Sequence, residues 1–202
     1  LKGRYAFFMK AKGLFGVLYS VCAVITAACV FLFVVCFCAY FVQRKFVYPV
    51  KYEKEIVAAS EEFGVDKFFV FATVKAESGF NADRKSVKNA KGLMQLTDET
   101  ARYVADMLGE TDYDIFEPNT NVRFGCRYIK YLSGKFSNEF TLAAAYNAGE
   151  GTVGGWLKNP EYSDDGVTLK VVPYAETAEY VKKISKNLEK YKSLYGNILD
   201  KK

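Results

Sequence analysis

The chain has 202 residues, 50% of them hydrophobic and 16% aromatic, which is enough apolar material for one packed domain and too much for a disordered segment. It contains no histidine, so a Ser-His-Asp or Cys-His nucleophile system and any histidine-ligated metal site are excluded. The formal charge of +5 is unevenly placed: Lys2, Arg4, Lys10 and Lys12 precede any acidic residue, the first of which is Glu53, so the remainder is nearly neutral and nucleic acid is not expected as a partner.

Cys22, Cys29, Cys36 and Cys38 lie in an apolar run and leave Cys126 alone in the rest, so neither a zinc knuckle nor a disulfide within the domain can be assembled. Chemistry falls to carboxylates, Tyr, Lys, Ser and amides, and no metal or cofactor is expected. Residues 1–12 read as a basic flank. From Gly13 to Val42 no residue is charged, and a helix rising about 1.5 Å per residue over that length exceeds the roughly 30 Å hydrocarbon core of a bilayer.

That stretch, residues 13–42, reads as an uncleaved transmembrane signal-anchor, because its later half is built of Phe, Val and Tyr without a small-residue cleavage site. Thr26-Ala27-Ala28-Cys29 has the look of a lipoprotein cleavage site, but the apolar run continues well past Cys29. Arg44, Lys45, Lys51 and Lys54 balance the basic residues on the other side, so charge alone does not orient the anchor. Residues 43–52, with Pro49, are expected to form a linker.

Residues 53–202 read as one mainly α domain. A first helix is expected over 53–63, stopped by Gly64, and Asp66 caps a second over 67–78, stopped by Gly79. Thr97 caps a third that ends near Gly109. Pro118 opens a fourth to about Phe136, with Val122, Cys126, Ile129 and Leu132 facing the core. A fifth covers about 140–147, a short sixth runs through Trp156, and 159–166 is a loop. The last, about Pro173 to Tyr195, carries Tyr180, Ile184, Leu188, Tyr191 and Tyr195 on one stripe.

Helix two is the most informative of these. Phe68, Phe69, Val70 and Phe71 cover almost its whole circumference, as in a helix buried inside a domain, and Glu77 stands at its end on the side of Val70, Thr73 and Val74. A carboxyl aimed into apolar surroundings at the negative end of a helix dipole has a raised pKa, which suits a general acid. The alternative, a solvated glutamate at a fraying helix end, is left open by periodicity.

Three motifs then follow one another: Glu77-Ser78-Gly79-Phe80-Asn81, Gly92-Leu93-Met94-Gln95-Leu96 and Ala145-Tyr146-Asn147-Ala148-Gly149. In order and approximate spacing they resemble the soluble lytic transglycosylase family over about Val65 to Tyr191, with Ser86 and a late Glu176/Tyr180 pair in support. The resemblance implies a lysozyme-like fold and an enzyme that cleaves peptidoglycan glycan strands between N-acetylmuramic acid and N-acetylglucosamine, leaving 1,6-anhydromuramic ends. It implies Glu77 as acid and then base. Ser86 would lie near the N-acetyl group, Met94 and Gln95 would line the cleft, Tyr146 and Asn147 would flank the cleaved bond, and Glu176 and Tyr180 would close the cleft from the last helix.

Thr97-Asp98 stands where the family usually has Met-Pro, and Ala178 where an Arg is common. Asp98 is therefore a second acidic candidate, which a hydrolytic muramidase of the same fold would use to activate water; electrostatics at a helix start is its plainer role. A membrane-tethered wall-binding domain without activity is a reading of another class. Expected partners are peptidoglycan, the cytoplasmic membrane with the domain outside it, and a cell-envelope secretion or cell-wall assembly complex.

Overall fold

The structure is a computed structural model that describes residues 2–199, with side chains from residue 15 onward. The basic flank of Lys2, Arg4, Lys10 and Lys12 lies outside the described side chains. The chain divides into two units, Leu1–Pro49 and Val50–Lys202. No β-strand occurs among the described residues, only isolated bridges of Lys91 with Lys85 and Leu96.

The first unit is α1 (Lys2–Val42), which continues through a π-helical turn over Gln43–Val47 closed by the Tyr48 N–H on the Gln43 carbonyl at 2.7 Å. The expected linker is thus helical in its first half. Arg44 lies over the Tyr40 ring and Lys45 over the Phe41 ring, each 5.6 Å from the centroid, so both charges extend the helix while their stems cover apolar surface. Phe15–Val47 is long and apolar enough to cross a membrane, with a mean hydropathy of 2.9 over an 18-residue stretch within it.

The second unit packs α2 (Glu53–Phe63), α3 (Lys67–Glu77), α4 (Asp98–Leu108), α5 (Pro118–Ser133), α6 (Glu139–Ala148), α7 (Glu150–Leu157) and α8 (Ala175–Leu199). At the centre is α3, in which every residue from Phe68 to Val74 is buried. It packs chiefly against α8, where Phe71 stacks on Tyr191 with centroids 5.4 Å apart. On the other flank α2 lies on α5, and α6 also meets α8.

Local chemistry explains the boundaries. Asp66 accepts from the Phe68 N–H at 2.8 Å and Thr97 from Thr100 at 3.2 Å, both as N-caps. Glu117, not foreseen as a cap, accepts from Asn119 and Thr120 just ahead of Pro118, and Asn138 starts α6 in the same way. The fourth helix stops at Ser133, a turn earlier than expected: Gly134 is its C-cap, and the Gly134 and Lys135 N–H groups close back only three residues, onto the carbonyls of Tyr131 and Leu132. The last starts at Ala175 rather than Pro173 and reaches Leu199, where burial of Leu199 rewards the added turn. Cys126 is completely buried, and burial pushes its thiol up to about 12.

One buried amide ties the segment between α3 and α4 to α5. Asn121 accepts from the Met94 N–H at 2.7 Å and donates to the carbonyls of Lys91 at 3.0 Å and Ile115 at 2.8 Å. Gly92, at φ +76°, lets the chain pass: a Cβ there would sit 2.2 Å from the Asn121 amide nitrogen. Replacing Asn121 by Ala takes this partner from the buried Met94 N–H and Ile115 carbonyl, while the Lys91 carbonyl keeps the Leu96 N–H at 3.0 Å, and a loss of about 2 kcal/mol is expected in chemical denaturation.

Candidate active site

Glu77 is the last residue of α3, and the all-round burial of that helix dictates its surroundings. Its half-buried carboxyl is pushed up to about 7, with desolvation the largest cause; the Tyr180 hydroxyl, Lys183 and Arg84 pull the other way. Tyr146 and Tyr180 crowd the same carboxyl, and burial together with its negative charge holds both phenols well above their ordinary value. The Tyr180 hydroxyl is buried beside Glu77, near enough to draw the carboxyl down, yet closes on no acceptor in hydrogen-bond geometry among the described residues.

The carboxyl opens on a cleft of about 590 Å³ and, on its other side, on a second hollow of about 610 Å³. Ser86, Gln95, Asn147 and Glu176 line both, and Tyr146 lines the first and Tyr180 the second. Ser86 holds a tight turn, its Oγ accepting from the Ala90 N–H at 3.0 Å. Gln95 sits at φ +50° and donates to the carbonyls of Arg84 at 3.0 Å and Gly92 at 2.9 Å, which holds its side chain flat along the wall. Asn147 accepts from the Thr177 hydroxyl at 2.8 Å, and exposed Glu176 faces Lys88 at 3.5 Å across the opening.

Two expected site residues lie elsewhere. Met94 is fully buried and lines neither hollow; its thioether packs so closely on Gly125 that a Cβ there would lie 2.1 Å from the sulfur. Its carbonyl is what reaches the site, accepting from the Tyr146 hydroxyl at 2.9 Å. Asp98 is at the exposed start of α4, 2.5 Å from Lys91 and 2.6 Å from Asn89, and the Lys91 bond holds its carboxyl below the usual range. It lines neither hollow, so it is not placed to activate a water opposite Glu77.

Sequence reading missed Arg84, Lys88, Thr100, Tyr128, Thr177 and Lys183 around the cleft. Tyr128 alone left a signal, as a large aromatic beside the apolar stripe of α5; its ring lies 5.7 Å from that of Tyr146. The others are polar residues in no pattern, gathered only by tertiary packing.

The transglycosylase SLT domain family model matches residues 54–167, more than half of the chain. The chain belongs to this family. Over 161 residues it is 32% identical to the soluble lytic murein transglycosylase of Salmonella typhimurium, an overlap of 77% of this chain and 24% of that protein. Over 117 residues it is 32% identical to membrane-bound lytic murein transglycosylase C of Haemophilus influenzae, covering 51% of this chain and 32% of that one. The SLT domain also matches the solved 70 kDa soluble lytic transglycosylase of Escherichia coli with a TM-score of 0.66 and 28% identity, over 74% of this chain and 25% of that one. An inactive glutamate-to-glutamine mutant of Slt from Pseudomonas aeruginosa matches with a TM-score of 0.64 and 28% identity, over 72% and 24%. The chain thus spans about a quarter of the length of the soluble relatives it matches.

Because Glu77 has a higher pKa in the folded SLT domain than the ordinary 4.5, the folded state holds the proton more tightly and stability falls as pH rises from about 4.5 to about 7. Glu77→Gln removes this penalty. The variant is expected to be more stable than the parent by about 2 kcal/mol at pH 8, with the difference closing towards pH 5, as read from denaturation at each pH.

Proposed function

We propose that this SLT domain is a peptidoglycan lytic transglycosylase held at the cytoplasmic membrane by α1, with residues 1–12 inside, the span within 13–47, and residues 53–202 forming the catalytic domain outside. The observation that carries the reading is a glutamic acid, Glu77, kept protonated near neutral pH by desolvation while it faces an open cleft. The family and the lytic murein transglycosylase relatives support the same chemistry.

Glu77 gives its proton to the glycosidic oxygen between N-acetylmuramic acid and N-acetylglucosamine as the bond breaks and oxocarbenium character develops. The carboxylate so formed is no longer the favoured state of an apolar site. Tyr180, Lys183 and Arg84 each stabilise it, and the free Tyr180 hydroxyl is the donor nearest at hand. Glu77 then takes the proton of the muramic C6 hydroxyl, whose oxygen closes on the anomeric carbon to form the 1,6-anhydro ring. The substrate N-acetyl carbonyl assists at that carbon, near Ser86 and Asn147, so no second protein carboxylate is required. Glu176 and Tyr180 close the cleft from α8.

Muramidase chemistry through Asp98 finds no support, since that carboxylate is engaged with Lys91 and Asn89 away from the cleft. A wall-binding domain without activity would have no use for a desolvated acid. A tethered cutter of this kind suits local wall opening for a cell-envelope secretion or cell-wall assembly complex.

Mass spectrometry of soluble products from purified peptidoglycan, treated with the full chain in detergent micelles, tests the reading. Anhydro-muropeptides one water lighter than hydrolysis products are expected, and none with Glu77→Gln; reducing-end products would overturn the ring-closing step. The rate should fall as pH rises through about 7, because the acid form of Glu77 is lost. Tyr180→Phe removes a group that lowers this pKa, so the falling limb moves to higher pH while kcat drops about tenfold or more, as read from a pH–rate profile.

A further inference from the structure

The end of α6 leaves one amide to spare. Backbone closes that helix, the Gly149 N–H on the Ala145 carbonyl at 3.0 Å, so the Asn147 side chain is not spent on capping. It lines both the cleft and the second hollow, as Glu77 does. A single hydrogen bond holds it among the described residues: the hydroxyl of Thr177, buried in the first turn of α8, donates to Oδ1 at 2.8 Å. The amide nitrogen makes no hydrogen bond among those residues.

That bond decides which end of the amide a substrate meets. An asparagine turned over by 180° fills the same space with its donor and acceptor exchanged, and a hydroxyl can serve either. Two fields select the observed sense. The first turn of α8 carries the positive end of the helix dipole, which favours the amide oxygen on that side. Glu77 lines the same two hollows, and beside its carboxylate an N–H2 group is attracted where a carbonyl oxygen is repelled. Thr177 then fixes the orientation that these fields prefer.

The strong neutral acceptors on a glycan of N-acetylated sugars are the acetamido carbonyls. We infer that Thr177 is a positioning residue: it holds the Asn147 N–H2 group towards the acetamido carbonyl of the muramyl unit at the cleaved bond, and so keeps that carbonyl aimed at the anomeric carbon. The carbonyl oxygen has two lone pairs, one for the Asn147 N–H and one for the anomeric carbon. Released from Thr177, the amide turns its own oxygen to the carbonyl for part of the time, and the internal nucleophile loses its alignment. The inference rests on the wall-cleaving reading above and adds to it the side chain that orients the participating group.

The test is kinetic, with the full chain in detergent micelles acting on soluble, stem-bearing glycan strands of one length and anhydro-ended products counted by mass spectrometry. Thr177→Val, nearly the same shape without the hydroxyl, is expected to lower kcat about tenfold while KM changes by less than about twofold, and Thr177→Ser to recover most of the loss. Asn147→Ala should cost about thirtyfold, and adding Thr177→Val to it should cost nothing more, because no amide is left to hold. A purely structural role for Thr177 would give losses that multiply. Circular dichroism checks that each variant is folded, and Thr177→Ala replaces a Thr177→Val chain that is not. Parent-like kcat without the hydroxyl, no recovery with Thr177→Ser, or multiplying losses overturn the inference while the cleavage reading stands. No anhydro product from the parent chain overturns both.

Discussion

A helix with no polar face must be surrounded, and whatever polar group stands at its end is surrounded with it. That is the situation of α3, whose residues Phe68 to Val74 are all buried and whose last residue is Glu77. Desolvation of that one carboxyl is the constraint around which the site is arranged. The cost is held in check from α8, which runs alongside and supplies Tyr180 and Lys183. The same helix secures the end of α3 through Lys183 on the Ala76 carbonyl at 2.7 Å and Asn187 on that of Ala72 at 3.3 Å. One helix pair therefore both isolates the acid and limits how far its pKa rises.

The remaining walls of the cleft are held by side chains that bond to backbone. Asn121 fixes the segment at Gly92 and Met94, Gln95 folds back onto the Arg84 and Gly92 carbonyls, and Tyr146 reaches from α6 to the Met94 carbonyl. Asn147 and Thr177 then join α6 to α8. With isolated bridges in place of a sheet among the described residues, these few bonds do the work that strand ladders do elsewhere. They are short-range and specific, and they hold the walls in place while leaving the cleft open.

What was legible in the sequence follows from which signals are local. The helices announce themselves through caps and stops such as Asp66, Thr97 and Gly64, whose chemistry involves neighbours within a turn. Glu117 escaped notice because glutamate is an uncommon cap, and the end of α5 because its C-cap, Gly134, keeps a right-handed conformation and the helix ends only by tightening its last bonds to three residues. At the site, the apolar girth of α3 left a buried Glu77 as one of two readings, and the order of the three motifs favoured it. Met94 was not, because a loop has no period from which to tell a residue that faces the wall from one that faces the core. Arg84 and Lys183 lie far apart in the chain and meet Glu77 only once α8 has packed on α3, so nothing local marks them.

Cys126 has a consequence of a different kind. The thiolate is the form that reacts, and a thiol pushed up to about 12 inside the α2–α5 interface is ionised in roughly one molecule in 10⁵ at neutral pH. Alkylating reagents and oxidants therefore pass it by while the domain is closed. Any modification of Cys126 must wait for α5 to lift from α2, so the rate at which this native thiol is trapped counts the openings of the domain, and the chain carries its own probe of breathing motion without an engineered label.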